Sequence, residues 1–215
     1  MVKMNKKIIG VVACSAVAAS MAIGASASDE LIKVGYAQVG HESDWRTANT
    51  QNYQDVFSEE NGYELSFVDC DNDNAAQIEA VRNFINQELD YIVIAPIQSA
   101  GWDTVLQEAQ DAGIPVIIAD REIEASDDLY DAWVGTNTTN EGITAGNWLA
   151  ENLDGKEANI LVIEGSVGAS AALGRSDGFN QVAAEHDEWT ILDSQSGDFT
   201  QDGGQEVMES FIKSY

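Results

Sequence analysis

Basic residues are the scarcest functional class in this chain: ten Lys and Arg stand against 37 Asp and Glu in 215 residues, for a formal charge of −27. A field of that sign repels phosphate backbones and anionic lipid, so nucleic acid and an acidic membrane surface are excluded first as partners. Cysteine is nearly absent as well. Cys14 and Cys70, with His41 and His186, form no set at the spacing of a zinc site, and no metal or cofactor is called for. Proline is limited to Pro96 and Pro115, while 44% of residues are hydrophobic, so the acidity belongs to the solvated surface of a packed protein and not to a disordered tail. Long apolar runs are missing too. Residues 8–23 are broken by Ser15 and Ser20 and fall short of the ~18–20 apolar residues of a spanning helix.

That same N-terminal stretch has another order. Lys3, Lys6 and Lys7 precede the apolar residues, and Ala25-Ser26-Ala27 closes them, which is the arrangement of a secretory signal peptide over residues 1–27. Export to a periplasm or to the outer face of the cell membrane follows. Val11-Val12-Ala13-Cys14 loosely resembles a lipoprotein processing site, but it would leave residues 8–13 as the apolar core, shorter than the ~7–15 usual for such a segment. Cleavage after Ala27 therefore ranks ahead of lipid anchoring at Cys14. Cleavage removes three lysines and takes the charge from −27 to −30, with 37 acids facing seven bases. Cys70 is then the one cysteine left, which rules out an intramolecular disulfide and suits a small core residue.

From residue 31 onward, short apolar runs alternate with amphipathic stretches. Strands are expected at 31–38, 63–69, 91–95, 114–119, 132–135, 160–163 and 190–194. YIVIA, IPVII and ILVI are continuous apolar segments, as in strands covered by helices on both faces. Ile78, Val81 and Ile85 mark one helix; Val105, Leu106, Ala109 and Ala112 mark a second, stopped at Gly113-Ile114-Pro115. Two more are expected near 141–153 and 173–185. Strict alternation of this kind implies an α/β protein with doubly wound, mainly parallel sheets. Residues 28–136 supply one complete lobe and residues 137–215 begin a second. Two full lobes need on the order of 250 residues or more, so the second lobe is expected to be incomplete in this chain.

In such sheets ligands bind beyond the carboxyl ends of the strands. Those ends hold three of the four arginines, Arg46, Arg121 and Arg175, with Arg82 the exception. A guanidinium donates hydrogen bonds in fixed directions, and carboxylates such as Glu42 and Asp120 accept them, so together they can read vicinal hydroxyls. Trp45 adds an apolar face. The plainer reading is that Arg46 and the Asp120-Arg121 pair form ordinary ion pairs at strand ends. Other motifs favour structural readings: Asp71-Asn72-Asp73-Asn74 lacks the glycine and late glutamate of a calcium loop and reads as a turn capping a helix. His41-Glu42 lacks the second histidine of a zinc-protease helix. Gly165-Ser166-Val167-Gly168 is a glycine-permitted loop and not a hydrolase elbow. Trp102, Trp133, Trp148 and Trp189 are expected to pack.

Five segments, VGYAQVGHESDWR (34–46), AGWDTVLQEAQDAGIPVIIADR (100–121), GTNTTNEGITAGNWL (135–149), IEGSVGASAALGRSDGF (163–179) and SQSGDFTQDGGQEVMESF (194–211), carry a resemblance to a known family. The chain resembles the ribose-type periplasmic sugar-binding proteins of ABC importers, most of all the galactofuranose-binding branch, from about residue 31 to residue 215. The resemblance implies the periplasmic-binding-protein type I fold, hinge crossings beginning near residues 135–140, and closure on one monosaccharide, a furanose such as galactofuranose. It implies ligand contacts from Glu42, Ser43, Asp44, Trp45 and Arg46, from Asp120 and Arg121, and from Arg175. Asp44 departs from the family pattern, where glycine is expected. It further implies a monomer that docks on a permease and ATPase complex, with no catalysis. An exported α/β enzyme acting on a sugar is the main rival, with Glu42 and Asp120 as acid and base, although the sequence shows no activated nucleophile. A chemoreceptor-coupled sugar binder is a variant. A repressor with the same sensor fold would need a basic helix-turn-helix that this chain lacks.

Overall fold

The computed structural model describes residues 30–215; the expected signal peptide and Cys14 lie outside them. Strands β1 (Ile32–Gln38), β2 (Tyr63–Asp69), β3 (Tyr91–Ile94), β4 (Val116–Asp120) and β5 (Ala132–Gly135) form one sheet in the order β2-β1-β3-β4-β5. All its pairings are parallel. Strands β6 (Ala158–Glu164) and β7 (Trp189–Ser196) pair in parallel as a second sheet. Helices α1 (Asp44–Val56), α2 (Asn74–Asn86), α3 (Asp103–Asp111), α4 (Thr138–Leu153), α5 (Ser170–Ala183) and α6 (Gln201–Ser214) alternate with the strands. Parallel sheets with six α-helices fit the α/β arrangement expected from the sequence. Among the described residues no helix is long and apolar enough to cross a membrane.

The buried apolar residues of the larger sheet lie mainly in its three inner strands β1, β3 and β4, whereas the edge strands β2 and β5 are half-buried to exposed. Val34, Tyr36, Ile92, Ile94 and Ile118 are buried together with Trp102, Leu106 and Phe84 from the helices. The α2 stripe is rotated from the expected one: Gln77, Ala80, Val81 and Phe84 are buried, while Ile78 and Ile85 flank them half-buried. Gln77 tolerates burial because its amide is fully used. It donates to the carbonyls of Ala37 and Ala95 at 3.1 and 2.7 Å and accepts from Ile97 N at 2.9 Å, tying the ends of β1 and β3 together.

Several boundaries differ from expectation for local reasons. The Ile114 amide still bonds to Ala109 O as part of the helix stop, so β4 begins at Val116 and extends to include Asp120. Residues 44–46 form the first turn of α1, a helix the sequence does not announce: the Ser43 side chain caps it by accepting from Arg46 N. DWRTANTQNYQDV has few apolar residues, and periodicity alone gave no stripe to find. The Asp71–Asn74 turn behaves as expected, with Asp73 capping α2 through bonds from Ala75 N and Ala76 N. Trp102 and Trp189 are buried, but Trp148 is 63% exposed and does not pack as expected.

Helices α4 and α5 approach closely through glycines. A Cβ on Gly142 would press on the Arg175 backbone, and one on Gly178 would press on Thr139 O. In the smaller sheet a register shift between Ile160 and Leu161 marks a bulge, and Ile163, Ile191 and Leu192 are exposed.

Candidate functional site

Two strand ends of the larger sheet, β1 and β4, bring four charged groups into one buried cluster. Glu42 stands in the turn after β1, and Arg46 follows one helical turn later on the inner face of α1, only 2% exposed. Asp120 ends β4 with a φ of +66°, a left-handed conformation that turns the chain directly into Arg121. The partners cross over. Arg121 Nη2 donates to both oxygens of Glu42 at 2.7 Å, and Arg46 Nη2 donates to Asp120 Oδ2. Arg46 Nη1 donates to Asn49 Oδ1 at 3.1 Å, and the same oxygen accepts from the Tyr36 hydroxyl at 3.1 Å. Burial pushes the Tyr36 phenol well above its ordinary value, so it stays a neutral donor. Burial also works against the charge on Arg46, but the bond and charge of Asp120 outweigh it and hold the guanidinium protonated.

The expected ion pairs therefore form, yet they leave something over. Arg46 Nε and Arg121 Nη1 are buried and have no hydrogen-bond partner. A buried unpaired donor costs about 1–3 kcal/mol, and more when charged, so an acceptor placed there is strongly rewarded. The Asp120 side chain, 32% exposed, faces partly outward as an acceptor. Two guanidinium groups and two carboxylates balance, which favours a neutral polar ligand over an anion.

Aromatic faces flank this cluster. Trp45 is 60% exposed, with the Arg46 guanidinium 4.9 Å from its ring centre. Phe199 comes from the loop between β7 and α6, at a φ of +58°, and its ring lies where a side chain on Gly165 would be. Arg121 sits 4.7 Å over that ring, and Arg175 lies 6.0 Å from it. Arg175 is half exposed and bonds to Glu141 Oε2 at 2.7 Å, which holds the Glu141 carboxyl below the usual range. A cavity of about 710 Å³ runs from Arg175, Glu141 and Phe199 along Val162, Ile163 and Ile191 of the smaller sheet.

Of the expected site residues, Glu42, Arg46, Asp120 and Arg121 come together, and Arg175 joins them through Phe199. Ser43 uses its hydroxyl as the α1 cap, and Asp44 is exposed on the first turn of α1. Phe199 and Asn49 are not among the residues expected from the sequence. Phe199 lies in a loop after a strand, where the strand-end rule would have found it, whereas nothing marked Asn49. Among the described residues no group of three metal-ligating side chains occurs, and His41 and His186 pair with Asp69 and Glu188.

Residues 34–215 match the family described as "Periplasmic binding protein domain". Over 211 residues the chain is 43% identical to the galactofuranose-binding protein YtfQ of Escherichia coli (strain K12), covering 98% of this chain and 64% of that protein. It is 31% identical to the fructose import binding protein FruE of Bifidobacterium longum (strain NCC 2705), covering 98% and 66%. A crystal structure of a galactofuranose-binding protein superposes with a TM-score of 0.81 at 43% identity, over 85% of this chain and 62% of that one. The arabinose ABC transporter's periplasmic binding component from Shewanella sp. ANA-3, bound to arabinofuranose, does so at 0.79 and 42% identity, over 85% and 60%. The chain thus spans a little under two thirds of these relatives.

Proposed function

The chain belongs to the periplasmic binding protein family, and from that premise we propose that it is the exported solute receptor of an ABC sugar importer, closing two lobes on one neutral furanose. The larger sheet and its helices are the first lobe; α4, β6, α5, β7 and α6 are the described part of the second. Arg46 Nε and Arg121 Nη1, buried and unpartnered, carry the reading: they are donors fixed by their own ion pairs and left free for ligand oxygens. Asp120 accepts from a hydroxyl, Trp45 and Phe199 cover the ring, and Arg175 completes the donors from the second lobe. Ser43 and Asp44 border the site, and Asp44 adds a carboxylate that tunes which sugar is preferred. The galactofuranose and arabinofuranose binders among the relatives support a five-membered ring.

No bond is made or broken in this account. Sugar binding shifts the open–closed population toward the closed form, which a membrane permease driven by an ATPase recognises. The test is a thermal-shift and calorimetric screen of the full-length mature protein against pentoses and hexoses, including furanose forms, with product analysis for each hit. Stabilisation by a furanose without turnover is expected. Turnover would favour a sugar-acting enzyme, and silence across the panel would overturn the sugar assignment.

A further inference from the structure

One residue joins the arginine loop to the second lobe. Ser99, on the loop after β3, is 4% exposed and has all three polar groups engaged. Its amide donates to Gly168 O at 2.9 Å, in the loop after β6, and its carbonyl accepts from Glu124 N at 2.7 Å. Its hydroxyl donates to Glu124 Oε1 at 3.0 Å. Glu124 lies three residues beyond Arg121 on the loop leaving β4. Arg121 itself makes a second contact between the lobes, over the Phe199 ring. The two crossings, Ser99 to Gly168 and Arg121 to Phe199, are thus linked inside the first lobe by the doubly bonded Ser99–Glu124 pair.

We propose that Ser99 and Glu124 are positioning residues that couple contact with the second lobe to the placement of Arg121, so that closure and presentation of its free Nη1 donor occur as one event. The proposal rests on the sugar-binding reading for its purpose, but its geometry does not involve a ligand. The loop from Arg121 to Ser126 contains no helix or strand, so its path depends on such cross-loop bonds. A carboxylate acceptor makes the hydroxyl bond stronger than a neutral one. When Ser99 is fixed by Gly168, Glu124 is fixed by Ser99, and Arg121 leaves β4 on a defined path; loss of any link frees the next.

Hydrogen exchange on the full chain without sugar tests the coupling directly. In Glu124→Ala the Ser99 amide, which faces the second lobe, should exchange roughly tenfold faster although its own acceptor is untouched, whereas Glu124→Gln, which keeps an oxygen acceptor, should restore protection. Ser99→Ala gives an independent check through faster exchange of the Glu124 amide. With the sugar found in the screen, Glu124→Ala and Ser99→Ala should each weaken affinity about tenfold, and Glu124→Ala combined with Phe199→Ala should fall short of additive loss. An unchanged Ser99 amide in a folded Glu124→Ala protein, or additive losses, would reduce the pair to local packing and overturn the proposal. If the wild-type protein binds no sugar, the functional reading fails while the exchange measurements still decide the coupling.

Discussion

Arg46, Arg82 and Arg121 show how environment decides what one side chain does. Arg82 is half exposed and bonds Glu108 through Nε and Nη2 at 2.8 and 2.9 Å, an α2–α3 pair that screening leaves with little influence elsewhere. Arg121 is buried against Glu42 and keeps a free donor. Arg121→Ala should therefore lower sugar affinity by about 2–4 kcal/mol, because it removes charged hydrogen bonds from a closed site and leaves Glu42 with only the 3.6 Å approach of Arg46, while Arg82→Ala leaves affinity unchanged; calorimetry distinguishes them, and equal effects would refute the site. Cys70 gives a second check at this scale. Burial pushes its thiol up to about 12, with Asp69 and Asp73 adding to the effect. A thiol reagent at pH 8 should leave native Cys70 unmodified and label it fully in denaturant. Since the folded pKa lies above the unfolded ~8.5, this group favours the fold below that value and ceases to do so as pH rises toward 12.

Among the elements, the α4–α5 pair depends most on missing side chains. Gly142, Gly146, Gly174 and Gly178 each lie where a Cβ would meet the facing helix. Gly178→Ala should destabilise the protein by about 1–3 kcal/mol in urea melts, since the new methyl presses on Thr139 O and the helices must move apart. The consequence reaches the site, because Arg175 rides on α5 and its partner Glu141 on α4. Helix α1 is the opposite case. It buries Arg46 and Thr50 rather than an apolar stripe, and the site's own charges help to seat it. That is why apolar periodicity marks α2 and α3 but gives no sign of α1.

For the molecule as a whole, charge is the dominant global fact. All four arginines are held in internal ion pairs, so Lys33, Lys156 and Lys213 are the remaining bases of the described residues against a large carboxylate excess. Self-repulsion at low ionic strength should destabilise the fold, and raising salt from 0.05 to 1 M should increase Tm by about 4 °C or more, as scanning calorimetry would record; a flat response would mean that the carboxylates are spaced beyond effective repulsion. The sequence by itself determined the alternation of strands and helices, because parallel strands buried on both faces must be continuously apolar, and it marked the strand ends where Glu42, Arg46, Asp120 and Arg121 stand. It also carried the family resemblance, which depends on order and spacing alone. Only the tertiary structure decided the partners: Arg121 takes Glu42 across 79 positions and Arg46 takes Asp120 across 74, because pairing is set by how β1 and β4 lie in the sheet. The place of Phe199 between two arginines, and the meeting of Ser99 with Gly168 and Glu124, were settled in the same way, by loops brought together from distant parts of the chain.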